Sequence, residues 1–208
     1  MKKPLNKQYL YEFKCNPKIL NNLEEYSNAL DWRKCKSRIG SDQYKGGLSY
    51  FGNNNSLTNS KSLNELHSWL EECIQSVKEE IELYKNNIIK LKISQSWLNC
   101  SFKGNVHHLH FHSLSILSGI LYLTDPAFTI FCPNSLYSLP SLFPNKGKLE
   151  NYTYKGKKGY LVIFPSSLKH FVGPHMSDKP RISFSFNTWF TGSVGDPQKL
   201  AYIPESLE

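Results

Sequence analysis

The sequence predicts a mainly β protein, a sandwich or barrel braced by helices at its N-terminal end. Two observations carry this. Up to Asn87, apolar residues recur mostly at helical spacing. Beyond it they fall into nine short runs separated by turn residues, the pattern of many short strands that close into a sandwich or barrel. No internal repeat is visible. A chain of 208 residues suffices for one full core and is short for two. We expect a single domain over residues 1–208: helical support with a lid loop over 1–90, the β core over 91–190, and a C-terminal tail over 191–208.

Taken in order, residues 8–14, QYLYEFK, alternate as a strand does. Asn16-Pro17 then opens a helix, with Ile19, Leu20, Leu23, Tyr26 and Leu30 on one stripe. Asn16 suits the cap and Pro17 the first turn. Residues 38–60 are rich in Gly, Ser and Asn. They read as a long loop holding a short strand at Leu48–Phe51, and loops of this length are often lids. From Ser62 to about Lys85 comes the clearest helix, with Leu63, Leu66, Trp69, Leu70, Cys73, Ile74, Val77, Ile81 and Tyr84 on its apolar stripe. Ser62-Leu-Asn-Glu65 has the form of a capping box. The strands follow at 89–94, 96–102, 106–113, 117–124, 127–132, 150–155, 160–164, 168–173 and 180–188. The interval 133–149 contains three prolines and reads as an excursion over the barrel mouth.

Charge narrows the partners without naming one. The balance is 25 basic against 17 acidic residues, net +8. That suits an anionic small substrate or nucleic acid. The lysines are scattered, though, and no Arg-rich or aromatic-interleaved nucleic-acid motif appears. Five cysteines without a C-x-x-C suit reduced thiols and a cytoplasmic location. MKKPLNKQYLYEF lacks the apolar core of a signal peptide, and no stretch approaches the roughly 18 apolar residues of a membrane span. No membrane partner is expected, and a homodimer is compatible with the composition.

The informative stretch is Val106–Leu123. Four of the seven histidines stand at its start, at 107, 108, 110 and 112. Residues two apart on a strand share a face, so two of His108, His110 and His112 can grip one metal ion. A third ligand must then come from elsewhere. Such runs also occur as plain polar strand faces. Farther on, the apolar strand Gly159–Pro165 ends at a Pro-Ser turn that delivers His170 to the next strand. Arg181-Ile-Ser-Phe-Ser-Phe-Asn187 alternates strictly. Arg181, Ser183, Ser185 and Asn187 take one face; Ile182, Phe184 and Phe186 take the other. An arginine beside a hydroxyl is well built for a carboxylate.

In this order and spacing the chain resembles the 2-oxoglutarate/Fe(II)-dependent oxygenases, and within them a group of small bacterial and phage proteins related to the prolyl hydroxylases. The resemblance covers roughly residues 95–190. It rests on Trp97-Leu-Asn99, Gly104-Asn105, His110-Phe-His112, Ser118-Gly119-Ile-Leu-Tyr122, Phe164-Pro165-Ser166, His170 and Arg181–Asn187. It implies a double-stranded β-helix, a jelly-roll or cupin-like barrel, with Fe(II) at its mouth. It implies His110 and His170 as metal ligands, Arg181 as partner of the cosubstrate's far carboxylate, and Ser183 and Tyr122 as its hydrogen-bonding partners. The implied reaction consumes 2-oxoglutarate and O2 and oxidises an unknown prime substrate, usually by hydroxylation. The superfamily mostly has Asp or Glu where this chain has His112, so the implied set of His110, His112 and His170 is all imidazole. Asn99, Ser118, Asn187 and His108 are candidate pocket residues; Lys169 and His175 flank the site.

Two rivals differ in kind. A cupin-like dioxygenase or isomerase without 2-oxoglutarate shares the barrel and the His-x-His. Its expected glutamate would fall at Ile116 or Leu117, however, and it needs no Arg181-x-Ser183 clamp. A non-catalytic binding protein on a decayed oxygenase fold would account for the missing acidic ligand.

Overall fold

Helix α1, Pro17–Asn28, and helix α2, Asn64–Glu80, lie against the outer face of a seven-stranded sheet. The structure is a computed structural model and describes residues 9–37, 46–52, 56–81, 90–133, 151–195, 198 and 202–203. The helix over Pro17–Asn28 starts as its sequence dictates: Asn16 is extended, and its side chain accepts from Lys18 N at 2.8 Å. The second helix departs from expectation at both ends. A short 3-10 turn, Lys61–Leu63, precedes it, and the cap residue is Leu63 with no side-chain cap bond. The capping box does not form, because Ser62 Oγ meets Ser60 Oγ and Glu65 pairs with Lys18. At the other end the helix stops at Glu80, while Lys85 lies outside the described residues.

Among the described residues, eleven strands make two antiparallel sheets. They are β1 Tyr11–Lys14, β2 Lys36–Ser37, β3 Leu48–Tyr50, β4 Lys90–Ser101, β5 His107–His110, β6 Leu117–Tyr122, β7 Ala127–Cys132, β8 Tyr152–Gly156, β9 Tyr160–Pro165, β10 Lys169–Val172 and β11 Arg181–Thr191. The large sheet runs β1-β9-β6-β11-β4-β3-β2 and the small one β5-β10-β7-β8. A two-stranded ribbon joins β12, Val194–Gly195, to β13, Tyr202–Ile203. The expected strands at 89–94 and 96–102 are one strand, β4. It pairs along its length with β11 across a single bulge at Asn187/Thr188, which absorbs the break in alternation. The proline-rich interval lies outside the described residues apart from Pro133.

The sheets enclose an inner core, and the helices an outer one. Leu23, Leu66, Leu70, Ile74 and Val77 from the helices pack on Leu98, Leu121, Leu161, Ile163, Phe184 and Phe186. Burying each such Leu, Ile, Val or Phe is worth about 1.5–3 kcal/mol. Tyr122, Ala127, Phe131, Tyr154, Val162, Phe164 and Leu168 fill the inner side. Strand β9 is apolar on both faces for this reason: Leu161 and Ile163 meet helices, Val162 and Phe164 the opposite sheet. Gly119 is required by close approach. A Cβ there would stand 2.3 Å from the Phe186 ring, and Phe186 is fully buried. No helix among the described residues is long and apolar enough to cross a membrane.

Candidate active site

A cavity of about 270 Å³ opens between the sheets. Strand β10 lies between β5 and β7, and His170 pairs across to His110 on one side and Phe131 on the other. The His110 and His170 rings stand 4.3 Å apart, centre to centre. Register slips between His170 and Val172. The extra residue on β5 lets both His107 and His108 join His110 in lining the cavity.

His112 does not sit on the strand as expected, because β5 ends at His110. Its backbone N–H donates instead to Ser166 O at 3.0 Å, and that turn aims its ring back into the cavity. Ser166 is buried and braced by Ser115 Oγ at 2.7 Å and Ser118 Oγ at 2.8 Å. Ser118 also donates to Asn187 Oδ1. Ser118 and Asn187, expected as pocket residues, therefore lie behind the turn that carries His112. Asn99 and His108 do line the cavity.

The three imidazoles converge. One ring nitrogen from each of His110, His112 and His170 lies within 4.8 Å of the others. His110 Nδ1 meets His108 O at 2.7 Å and His170 Nδ1 meets Leu168 O at 3.0 Å. A carbonyl only accepts, so each Nδ1 carries the proton and each neutral ring keeps its lone pair on Nε2. His112 Nε2 and His170 Nε2 are 3.4 Å apart. Two imidazoles sharing an ion at about 2.1 Å stand about 3.0–3.4 Å apart in octahedral or tetrahedral geometry, so the donor set fits a divalent metal that accepts nitrogen. Burial, with His110 beside it, lowers the pKa of His170 from 6.5 to about 4, so near neutral pH the ring is uncharged, the form a metal needs.

Arg181 lies farther along the same cavity wall. It is 9% exposed, and burial lowers its pKa. Its Nη2 donates to Ser101 Oγ at 3.1 Å. Ser183 and Ser185 line the cavity beside it, while Phe184 and Phe186 face the helices, as the alternation predicts. Tyr122 Oη meets Thr129 Oγ1 at 2.8 Å. Burial raises the Tyr122 pKa well above its usual value, so the phenol stays protonated. Asn99 Oδ1 accepts from both Trp97 Nε1 and Ser49 Oγ, and its Nδ2 donates to Ser185 Oγ. The indole can only donate, which fixes the amide's orientation.

Sequence reasoning missed Gly46, Gly47, Ser49, Ser101, Thr129, Phe128 and Val172 among the lining residues. Thr129 was findable: within Ala127, Thr129 and Phe131, the buried face of β7, it is the single polar residue. Lys169 is half-buried on β10, and His175 is buried with Nε2 against Lys179 O at 2.7 Å; neither lines the cavity. His67 sits on α2 beside Glu71.

Residues 95–187 match the family model described as "Putative 2OG-Fe(II) oxygenase". No curated protein matches the chain by sequence. Solved structures do match its fold. A prolyl-4-hydroxylase of Pseudomonas putida shares 11% identity over 88% of this chain and 92% of its own, with a TM-score of 0.60. The carbocyclase SnoK of nogalamycin biosynthesis shares 10% over 87% and 79%, at 0.67. HygX of Streptomyces hygroscopicus, solved with nickel and 2-oxoglutarate, shares 11% over 88% and 83%, at 0.59. These neighbours establish a double-stranded β-helix. The family match takes in the three histidines and the buried arginine, and over residues 95–187 the chain matches the 2-oxoglutarate/Fe(II)-dependent oxygenases.

Proposed function

We propose that His110, His112 and His170 hold Fe(II), that Arg181 with Ser183 and Tyr122 holds the far carboxylate of 2-oxoglutarate, and that the enzyme hydroxylates a prime substrate. The observation that carries this is the meeting, in one cavity, of three converging imidazoles and a buried guanidinium. Bound iron would supply, with O2, the oxidative decarboxylation of 2-oxoglutarate to succinate that drives substrate oxidation.

The chain's own residues do the rest. Backbone carbonyls at His108 and Leu168 set the tautomers of His110 and His170. The Pro165-Ser166 turn holds the His112 backbone. A buried positive charge is costly without an anion, so Arg181 favours a dianionic cosubstrate over a neutral one. Tyr122 stays a hydrogen-bond donor at working pH. Val106, Phe128 and Val172 give the cavity an apolar flank that limits water. No described residue lining the cavity is Asp or Glu, which supports an all-imidazole set within the described part of the wall.

The test is an anaerobic Fe(II) titration with and without 2-oxoglutarate, followed by a succinate assay on admitting oxygen. We expect metal-dependent 2-oxoglutarate binding and slow succinate formation. Arg181→Ala should abolish cosubstrate binding and leave metal binding largely intact. A variant that binds the cosubstrate as well as the parent would overturn the assignment.

A further inference from the structure

We infer that Ser101 is a positioning residue for Arg181, and that Gly47 is what allows it to be one. This rests on reading Arg181 as the cosubstrate clamp. The β4–β11 register places Ser101 directly opposite Arg181, and Ser101 Oγ accepts from Arg181 Nη2. A long arginine side chain loses much rotamer freedom when fixed. An acceptor at its tip selects one arrangement before the cosubstrate arrives, which lowers the ordering cost of binding.

The hydroxyl is itself confined from the other side. The segment leading into β3 runs across the end of β4. A Cβ on Gly47 would stand 2.7 Å from Cys100 O and 2.9 Å from Ser101 Oγ. Leu48, the next residue, is paired with Cys100 in the β3–β4 ladder, and Gly46 bridges to Val106. The segment is therefore tied on both sides of Gly47 and cannot back away. Only glycine lets it sit on β4 without pushing the Ser101 hydroxyl off the guanidinium. All three residues line the cavity, so the segment and the clamp form one continuous wall.

The experiment uses the full chain loaded with Mn(II) under calorimetry. Two probes are compared: 2-oxoglutarate, and 2-oxobutyrate, which keeps the 2-oxo acid end but lacks the far carboxylate. The parent should prefer 2-oxoglutarate. Ser101→Ala should weaken 2-oxoglutarate about tenfold, the usual worth of a hydrogen bond to a charged group. Its affinities for 2-oxobutyrate and Mn(II) should stay within about twofold of the parent. Ser101→Thr keeps the hydroxyl and should stay within about threefold for 2-oxoglutarate. Gly47→Ala should reproduce the selective loss. Parent-like 2-oxoglutarate binding by Ser101→Ala, or an equal loss of both acids, would overturn the inference. A parent that binds both acids equally would instead defeat the clamp reading on which it rests.

Discussion

Gly156 ties the stability of the barrel to the shape of the site. It ends β8, and a Cβ there would stand 2.7–2.8 Å from three carbons of the Tyr122 ring. That ring is 2% exposed. Its other neighbour is Tyr154, stacked at 5.9 Å and 25°, whose hydroxyl donates to Glu12. Tyr122 also lines the cavity, so its ring retreats only towards the site. An ordinary contact requires roughly 3.5–4 Å, so Gly156→Ala must move the ring by about 1 Å. That shift stretches the 2.8 Å contact from Tyr122 to Thr129 past hydrogen-bond range. Overpacking costs about 1–3 kcal/mol and the lost bond about 1 kcal/mol. A total near 3 kcal/mol lowers Tm by roughly 6–12 °C in a domain of this size. Differential scanning calorimetry gives the first number, and 2-oxoglutarate titration shows whether the cavity wall moved with it. Tyr122→Phe, which removes only the hydroxyl, should cost about 1 kcal/mol. A Gly156→Ala protein that melts within about 2 °C of the parent, with unchanged cosubstrate affinity, would refute the packing argument.

Three further outcomes follow. Gly119→Ala drives a methyl into the buried Phe186 ring and should cost about 3 kcal/mol in chemical denaturation while sparing the three histidines. The folded pKa of His170, about 4, lies below its unfolded value of 6.5, so the unfolded chain binds the proton more readily. In metal-free protein its contribution is complete above about pH 6.5 and is lost as pH falls towards about 4, a total of about 3 kcal/mol. Denaturation at pH 7 and pH 4.5 should show this slope, and His170→Gln should lack it. The Cys15 and Cys73 thiols are buried, and burial pushes both pKa values up to about 12; a thiol reagent should leave both unmodified in the native protein and reach them on unfolding.

Much of the scaffold was legible because its signals are local. Asn16-Pro17 names a helix start whatever surrounds it. The apolar stripe from Leu63 to Val77 needs only one packing partner, and the alternation from Arg181 to Asn187 assigns both faces of β11. The convergence of His110, His112 and His170 was readable in outline from spacing and family resemblance together. What stayed hidden depends on contacts across long sequence separations. Ser62 and Glu65 look like a capping box until Ser60 and Lys18 claim them. His112 reads as a strand residue because nothing nearby in sequence says that Ser166 will hold its backbone. Gly46 and Gly47 look like plain loop until β4 arrives beneath them. Gly156 looks like a strand end until the Tyr122 ring from the opposite sheet covers it. In each case a distant partner fixed the role of a residue whose neighbours suggested another.

The most direct measurement is a crystal structure of the anaerobic protein with Fe(II) and 2-oxoglutarate. An iron-to-nitrogen distance of about 2.1 Å to Nε2 of His110, His112 and His170 alike, with the far carboxylate on Arg181, is the predicted result. A His112 ring turned away from the metal, or a cosubstrate carboxylate that does not touch Arg181, would contradict it.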